Sequence, residues 1–174
     1  MSARSDSDPN PARNRTTVEP RSEREIVVTR TFDAPARIVF RAWTTPALFK
    51  RWWVPKSMPL ALLSYEADIR TGGSYRLVFD VDGTKTMAFF GRYIEVTPHS
   101  RIVWTNDESG EDGAVTTVTL EEKGDKTLLV LHELYRSKKI RDAALASGAY
   151  EGMGETFGQL DEVLVALDAE EGAP

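Results

Sequence analysis

The run YEGMGETFGQLDEVLVAL, residues 150–167, places apolar side chains at Tyr150, Met153, Phe157, Leu160, Leu164 and Leu167. The spacings alternate between three and four residues, which on a helix makes one continuous apolar stripe. Glu151, Glu155, Glu162 and Asp168 fall mostly off that stripe. A helix with one apolar side needs a partner surface, and this one is long enough to lie across a β-sheet. Gly152, Gly154 and Gly158 interrupt it, and each weakens a helix interior by about 0.5–1 kcal/mol relative to Ala. Gly154 and Gly158, four apart on one flank of the stripe, would allow a close backbone approach or leave space for a bound molecule between helix and sheet. The three glycines are not a dinucleotide fingerprint, because no strand precedes them and the last spacing is one residue too long.

The partner surface lies upstream. Residues 60–135 read as six strands separated by turn signals: Gly72-Gly73, Asp82-Gly83, Pro98, the acidic loop DESGEDG and Lys123-Gly124-Asp125. With REIVVTRTF at residues 24–32 the count is about seven, and hairpin-length connections make the sheet antiparallel. Between the first strand and the rest, Ala36, Val39, Phe40 and Trp43 follow at i, i+3, i+4 and i+7, with Pro35 suited to the first turn. A second short helix begins with Thr45 as N-cap and Pro46 at its first position, carries Leu48, Phe49, Trp52 and Trp53, and stops before Pro55. Ser137 caps a third helix, KKIRDAALAS, which Gly148 ends. The pattern is an α+β helix-grip fold: a curved antiparallel sheet of about seven strands wrapped around a long C-terminal helix, with two short helices after the first strand.

A length of 174 residues suits one domain, assigned to residues 24–170. Residues 1–23, rich in Ser, Pro, Arg, Asn and Asp, bury too little apolar surface to order and are expected to be a disordered extension. No Cys is present, which removes disulfides and thiolate chemistry together and fits a reducing cytoplasm. A net charge of −5 without a long like-charge block argues against nucleic acid and anionic membrane surfaces as partners. No segment approaches the roughly 20 apolar residues of a membrane span. Self-association as a homodimer stays open.

Most catalytic constellations are missing. Two His and no Cys cannot build a structural zinc site, and there is no His-x-x-x-His pair or Gly-x-Ser-x-Gly elbow. Residues 107–113 lack the ligand alternation of a calcium loop and read as a solvated hairpin tip. No metal and no cofactor is expected. Alternation in the last strand puts Leu129, Leu131, Glu133 and Tyr135 on one face and His132 on the other. If the first face points inward, Glu133 enters an apolar interior, which makes it a candidate acid, base or ligand contact. The alternative is an arginine partner such as Arg70, Arg76 or Arg92 from a neighbouring strand, or a carboxylate at the strand end reaching water.

Four stretches carry a likeness: APARIVFRAWTTPALFKRWWVPKS, ADIRTGGSYR, GRYIEVTPHSRIVWT and LYRSKKIRDAALASGAYEGMGETFGQLDEVL. In that order they resemble the SRPBCC superfamily of START-like, helix-grip domains, and within it the family named for homologues of the activator of the heat-shock-protein-90 ATPase. The likeness spans about residues 24–168. It implies a deep, mainly apolar cavity between sheet and C-terminal helix. Relatives in the superfamily bind lipids, hormones and polyketides, some cyclise or dehydrate polyketides, and the eukaryotic namesakes are co-chaperones. No catalytic motif is shared across the family, so none carries over, and fold alone does not fix function.

Three functions follow as expectations. The first is binding of a small hydrophobic or amphipathic molecule in a cavity lined by Trp53, Phe79, Tyr93, Trp104, Glu133, Tyr135, Tyr150, Met153 and Phe157. The second is a cyclase, dehydratase or hydrolase acting in that cavity through Glu133 or a tyrosine. The third is an interaction module attached to a chaperone or stress response. Trp52 and Trp53 point about 100° apart on a helix, so one faces the cavity and one anchors the helix. Phe49, four residues before Trp53, favours Trp53 for the cavity.

Overall fold

Seven of the eight residues from Glu25 to Phe32 are β-branched or long-chained, and they form a strand whose two neighbours come from opposite ends of the chain. The computed structural model describes residues 15–172. In chain order these form β1 (Thr17–Ser22), β2 (Glu25–Phe32), α1 (Ala36–Thr44), α2 (Pro46–Trp52), β3 (Leu60–Ala67), β4 (Ser74–Val81), β5 (Lys85–Thr97), β6 (Arg101–Thr105), β7 (Val115–Lys123), β8 (Lys126–Leu134), α3 (Lys138–Ala146) and α4 (Met153–Gly172). The sheet is antiparallel with order β1-β2-β8-β7-β6-β5-β4-β3. Its eight strands curve around α4, as a helix-grip fold requires.

The additional strand corrects the reading of residues 1–23 as one disordered extension. Thr17 pairs with Thr29 and Val18 with Val28, and Val18 packs against the core. Pro20 sits on an edge strand, where a missing N–H is tolerated. The remaining part of that extension, residues 1–14, lies outside the described residues. A second difference concerns the acidic loop between β6 and β7. Asp107–Asp112 winds into a 3-10 turn and tucks Glu108 inward, so it is more than a solvated tip.

The curvature has a local cause in β5. This 13-residue strand pairs with β4 up to Arg92 and with β6 from Tyr93 onward. At the changeover a Cβ on Gly91 would lie 2.0 Å from the Thr105 carbonyl oxygen, so only Gly permits the approach. A bulge between Tyr93 and Glu95 adds to the bend. Gly91→Ala is expected to lower stability by about 1–3 kcal/mol by displacing backbone. The check is a urea melt, where the midpoint should fall with little change in slope. An unchanged midpoint would mean that the bend does not depend on this glycine.

The stripe of α4 is met by the sheet as anticipated. Phe157, Leu160, Leu164 and Leu167 are buried, together with Val28, Phe32, Val118 and Leu129 from the strands. The helix itself begins at Met153, and Tyr150 stands in the turn before it. Ser137 caps α3 by accepting from the Ile140 N–H at 3.2 Å, and Gly148 adopts a φ of 81° beyond its end. Both features follow the sequence signals. α1 and α2 close one flank of the core through Ile38, Val39, Trp43, Phe49 and Trp52. That leaves the space between β3–β6, α2 and the start of α4 incompletely filled. Among the described residues no helix is long and apolar enough to cross a membrane.

Candidate functional site

The unfilled space is a cavity of about 370 Å³. Its sheet wall carries Tyr65, Tyr75, Leu77, Phe79, Phe89 and Tyr93, all from the inward face set by strand alternation. Trp43 of α1 and Phe49 and Trp53 of α2 form the opposite wall, with Ile102, Trp104 and Asn106 at the β6 end. The mouth lies where Met58 and Met87, both about two-fifths exposed, meet Pro55, Gly152 and Met153.

The tryptophan pair divides its work. Trp52 is fully buried, donates through Nε1 to the Ala42 carbonyl at 3.1 Å and meets Trp43 edge-on at 4.8 Å. Trp53 stacks on Phe49 at 4.7 Å and lines the cavity. Proline-bounded α2 ends at Trp52, which fixes where the second indole can reach.

The segment after Trp53 is held to α4 by polar contacts. Gln159 is buried, and its Nε2 donates to the carbonyls of Trp52 at 3.0 Å and Val54 at 2.8 Å. Its Oε1 accepts from the Lys56 N–H at 2.8 Å. Glu155 accepts from the Ser57 N–H at 2.9 Å and from the Ser57 hydroxyl, and these hydrogen bonds hold its carboxyl below the usual range. Gly152 is the glycine that permits close approach here, because a Cβ on it would lie 3.2 Å from Pro55 Cγ and 3.6 Å from Met58 Sδ. At Gly154 and Gly158, expected to allow close approach or to leave space for a bound molecule, a Cβ would meet open space, and neither glycine lines the cavity.

Five of the nine residues expected at the cavity do line it: Trp53, Phe79, Tyr93, Trp104 and Met153. Phe157 does not, since it is fully buried in the core against Phe32, their rings 5.6 Å apart. Glu133 and Tyr135 face a second, more open hollow, which Asn106 joins to the first. There the Glu133 Oε2 accepts from the hydroxyls of Tyr135 and Tyr150, each at 2.6 Å, and the two hydroxyls meet at 2.5 Å. Among the described residues no ion pair reaches Glu133, so tyrosines replace the anticipated arginine. Arg70 pairs with Asp68 and Arg92 with Asp107. His132, on the outer face, pairs with Glu25.

Alternation would equally have pointed to Tyr65 and Tyr75 as cavity residues. Asn106 and Gln159 carry no such signal, because their partners lie on other segments of the chain and are mostly backbone groups. Asn106 donates both amide hydrogens, to the Ala114 carbonyl at 2.7 Å and Thr116 Oγ1 at 3.0 Å. No group of three or more His, Cys, Asp and Glu suited to a metal ion occurs among the described residues.

All five tyrosines of the chain have hydroxyl pKa values pushed up, chiefly by burial. For Tyr135 and Tyr150 the Glu133 charge adds to it. A group whose folded pKa exceeds its unfolded value of about 10 contributes stability below that pH and loses it as pH rises. Alkaline titration followed by phenolate absorbance should therefore show little ionisation near pH 10. A steep rise should follow, coincident with loss of circular dichroism. Five independent transitions near pH 10 in the folded protein would contradict this.

A family model described as activator of Hsp90 ATPase homolog 1-like protein matches residues 33–165. Among solved structures, one from Rhodobacter sphaeroides shares 25% identity at a TM-score of 0.80, covering 88% of this chain and 99% of that one. One from Nitrosomonas europaea shares 25% identity at a TM-score of 0.77, covering 86% of this chain and 99% of that one. A Staphylococcus aureus protein described as of unknown function shares 18% identity at a TM-score of 0.67 over 88% of this chain and 98% of that one, which bears on fold alone. No curated protein matches the chain.

Proposed function

Because the chain belongs to the family of activator of Hsp90 ATPase homolog 1-like proteins, we propose that it binds a small hydrophobic or amphipathic molecule between the curved sheet and α4. The observation that carries this is the cavity itself: about 370 Å³, walled by aromatic and aliphatic side chains and opening past two exposed methionines. Interiors are close-packed, so an apolar recess of this size continuous with the core offers a small apolar molecule a place to bury its surface. The volume lies in the lower part of the roughly 300–1,000 Å³ that ligand pockets occupy. Met58, Met87 and Met153 supply walls that adapt to different shapes. The compartment proposed is the cytoplasm, consistent with a chain without Cys.

Catalysis in the cavity would assign proton transfer to a tyrosine, whose hydroxyl burial keeps protonated, or to the Glu133 carboxylate. That carboxylate lies in the neighbouring hollow with one oxygen already accepting from two tyrosines. Binding needs no such group.

The test is a thermal-shift screen of hydrophobic metabolites, followed by native mass spectrometry of the compounds that raise the melting temperature. A ligand at a hundred times its Kd should add about 2.7 kcal/mol of stability. If no compound shifts the melt and none travels with the protein, the proposal fails.

A further inference from the structure

The chemistry of the lining narrows the ligand class, on the premise that the cavity is a binding site. No Asp, Glu, Lys, Arg or His occurs among the described lining residues. An ion of either sign would lose its water there and meet no opposite charge. The β4 end is the least hospitable to an anion, since Asp107, Glu108 and Glu133 lie near enough to act on the Tyr75 hydroxyl.

Among the lining residues the Trp43 indole N–H is buried without a partner, while most of the hydroxyl and amide groups are committed within the protein. Tyr75 donates to the Thr105 carbonyl at 2.7 Å. Both amide hydrogens of Asn106 are used within the protein, and the Thr156 hydroxyl donates to the Trp53 carbonyl at 3.4 Å. Tyr65 and Tyr93 differ. Their hydroxyls lie 3.3 Å apart and bond to each other. Each hydroxyl carries one hydrogen and only one can lie between the two oxygens, so the pair retains one hydrogen to donate. Both side chains line the cavity. Burial also pushes both hydroxyls up from their ordinary value, so they stay protonated donors at neutral pH.

We propose that the cavity selects uncharged ring compounds carrying a single hydrogen-bond acceptor of the carbonyl type, held by the Tyr65–Tyr93 hydroxyl pair, and rejects carboxylates of the same shape. Rings suit the site because the walls are themselves flat: Trp53, Phe49, Phe79, Phe89 and Trp104 present faces and edges for stacking. The acceptor sets orientation, and the missing cation sets the charge rule.

Three probes of one skeleton decide it: 2-acetylnaphthalene, 2-naphthoate and naphthalene, titrated at neutral pH into the full chain and followed by tryptophan fluorescence. The ketone should bind about tenfold more tightly than naphthalene, the worth of one buried hydrogen bond. Naphthoate, isosteric with the ketone but charged, should bind about 100-fold more weakly than it. In the Tyr65→Phe/Tyr93→Phe double variant the ketone should lose its advantage while naphthalene binds as before. If the double variant does not fold, the ranking in the unaltered protein and the single variants decide. Naphthoate binding as tightly as the ketone would overturn the charge rule and leave the cavity reading standing. A ketone no better than naphthalene would overturn the role of the hydroxyl pair. No binding by any of the three would overturn this proposal and the cavity reading together.

Discussion

Trp52→Ala is expected to lower the unfolding free energy by about 3–5 kcal/mol, whereas Trp53→Ala lowers it by only about 1–2 kcal/mol and removes most ligand binding. The two residues are adjacent in sequence, yet their surroundings differ in kind. Trp52 is fully buried between α1 and α4, and truncation would leave a hole and strip the Ala42 carbonyl of its donor. Trp53 is only partly buried, and much of what its indole touches is the cavity itself. Its stacking on Phe49 is worth about 0.5–1.5 kcal/mol beyond area. Urea melts of both variants, paired with probe titrations, measure the contrast. Equal losses of stability would contradict the division of roles.

Gln159→Leu is expected to cost about 3–5 kcal/mol although it swaps a polar residue for an apolar one of similar size. One side chain serves the Trp52 and Val54 carbonyls and the Lys56 N–H. Leucine serves none of them, and each buried backbone group left without a partner costs about 1–3 kcal/mol. Because those groups hold residues 52–56 to α4, the loss should also raise amide hydrogen exchange there before the sheet is affected. Gln159→Glu should be nearly as damaging, since a carboxylate would place oxygen against two carbonyl oxygens. A variant with native exchange at Lys56 would show that the segment is held by packing alone.

The extent to which this arrangement could be read from residues follows the range of the interactions. The stripe of residues 150–167 and the turn signals between residues 72 and 125 are local patterns, and α4 and the hairpins appeared where they pointed. β1 was misread because its order comes from pairing with β2, which composition does not register. Strand alternation placed Phe79, Tyr93 and Trp104 inward, but it cannot distinguish a core wall from a cavity wall. Phe157 shows the same limit on a helix: it shares the stripe with Met153, yet one is enclosed by Phe32 and the other borders the cavity. Alternation groups Glu133 with Leu129 and Leu131, which are buried, without telling which hollow the carboxylate faces. Of its two tyrosine partners, Tyr135 follows by two residues on the same face, but Tyr150 comes from the turn before α4, which no spacing rule brings to that strand.

The central claim, that the cavity receives a small hydrophobic molecule, is tested most directly by the four tryptophan indole N–H resonances in a 15N-labelled sample. Trp43, Trp53 and Trp104 line the cavity, and Trp52 is enclosed behind them. Saturation with 2-acetylnaphthalene should shift the first three resonances and move Trp52 least. If all four stay in place at saturating concentration, or if Trp52 alone responds, the account is wrong.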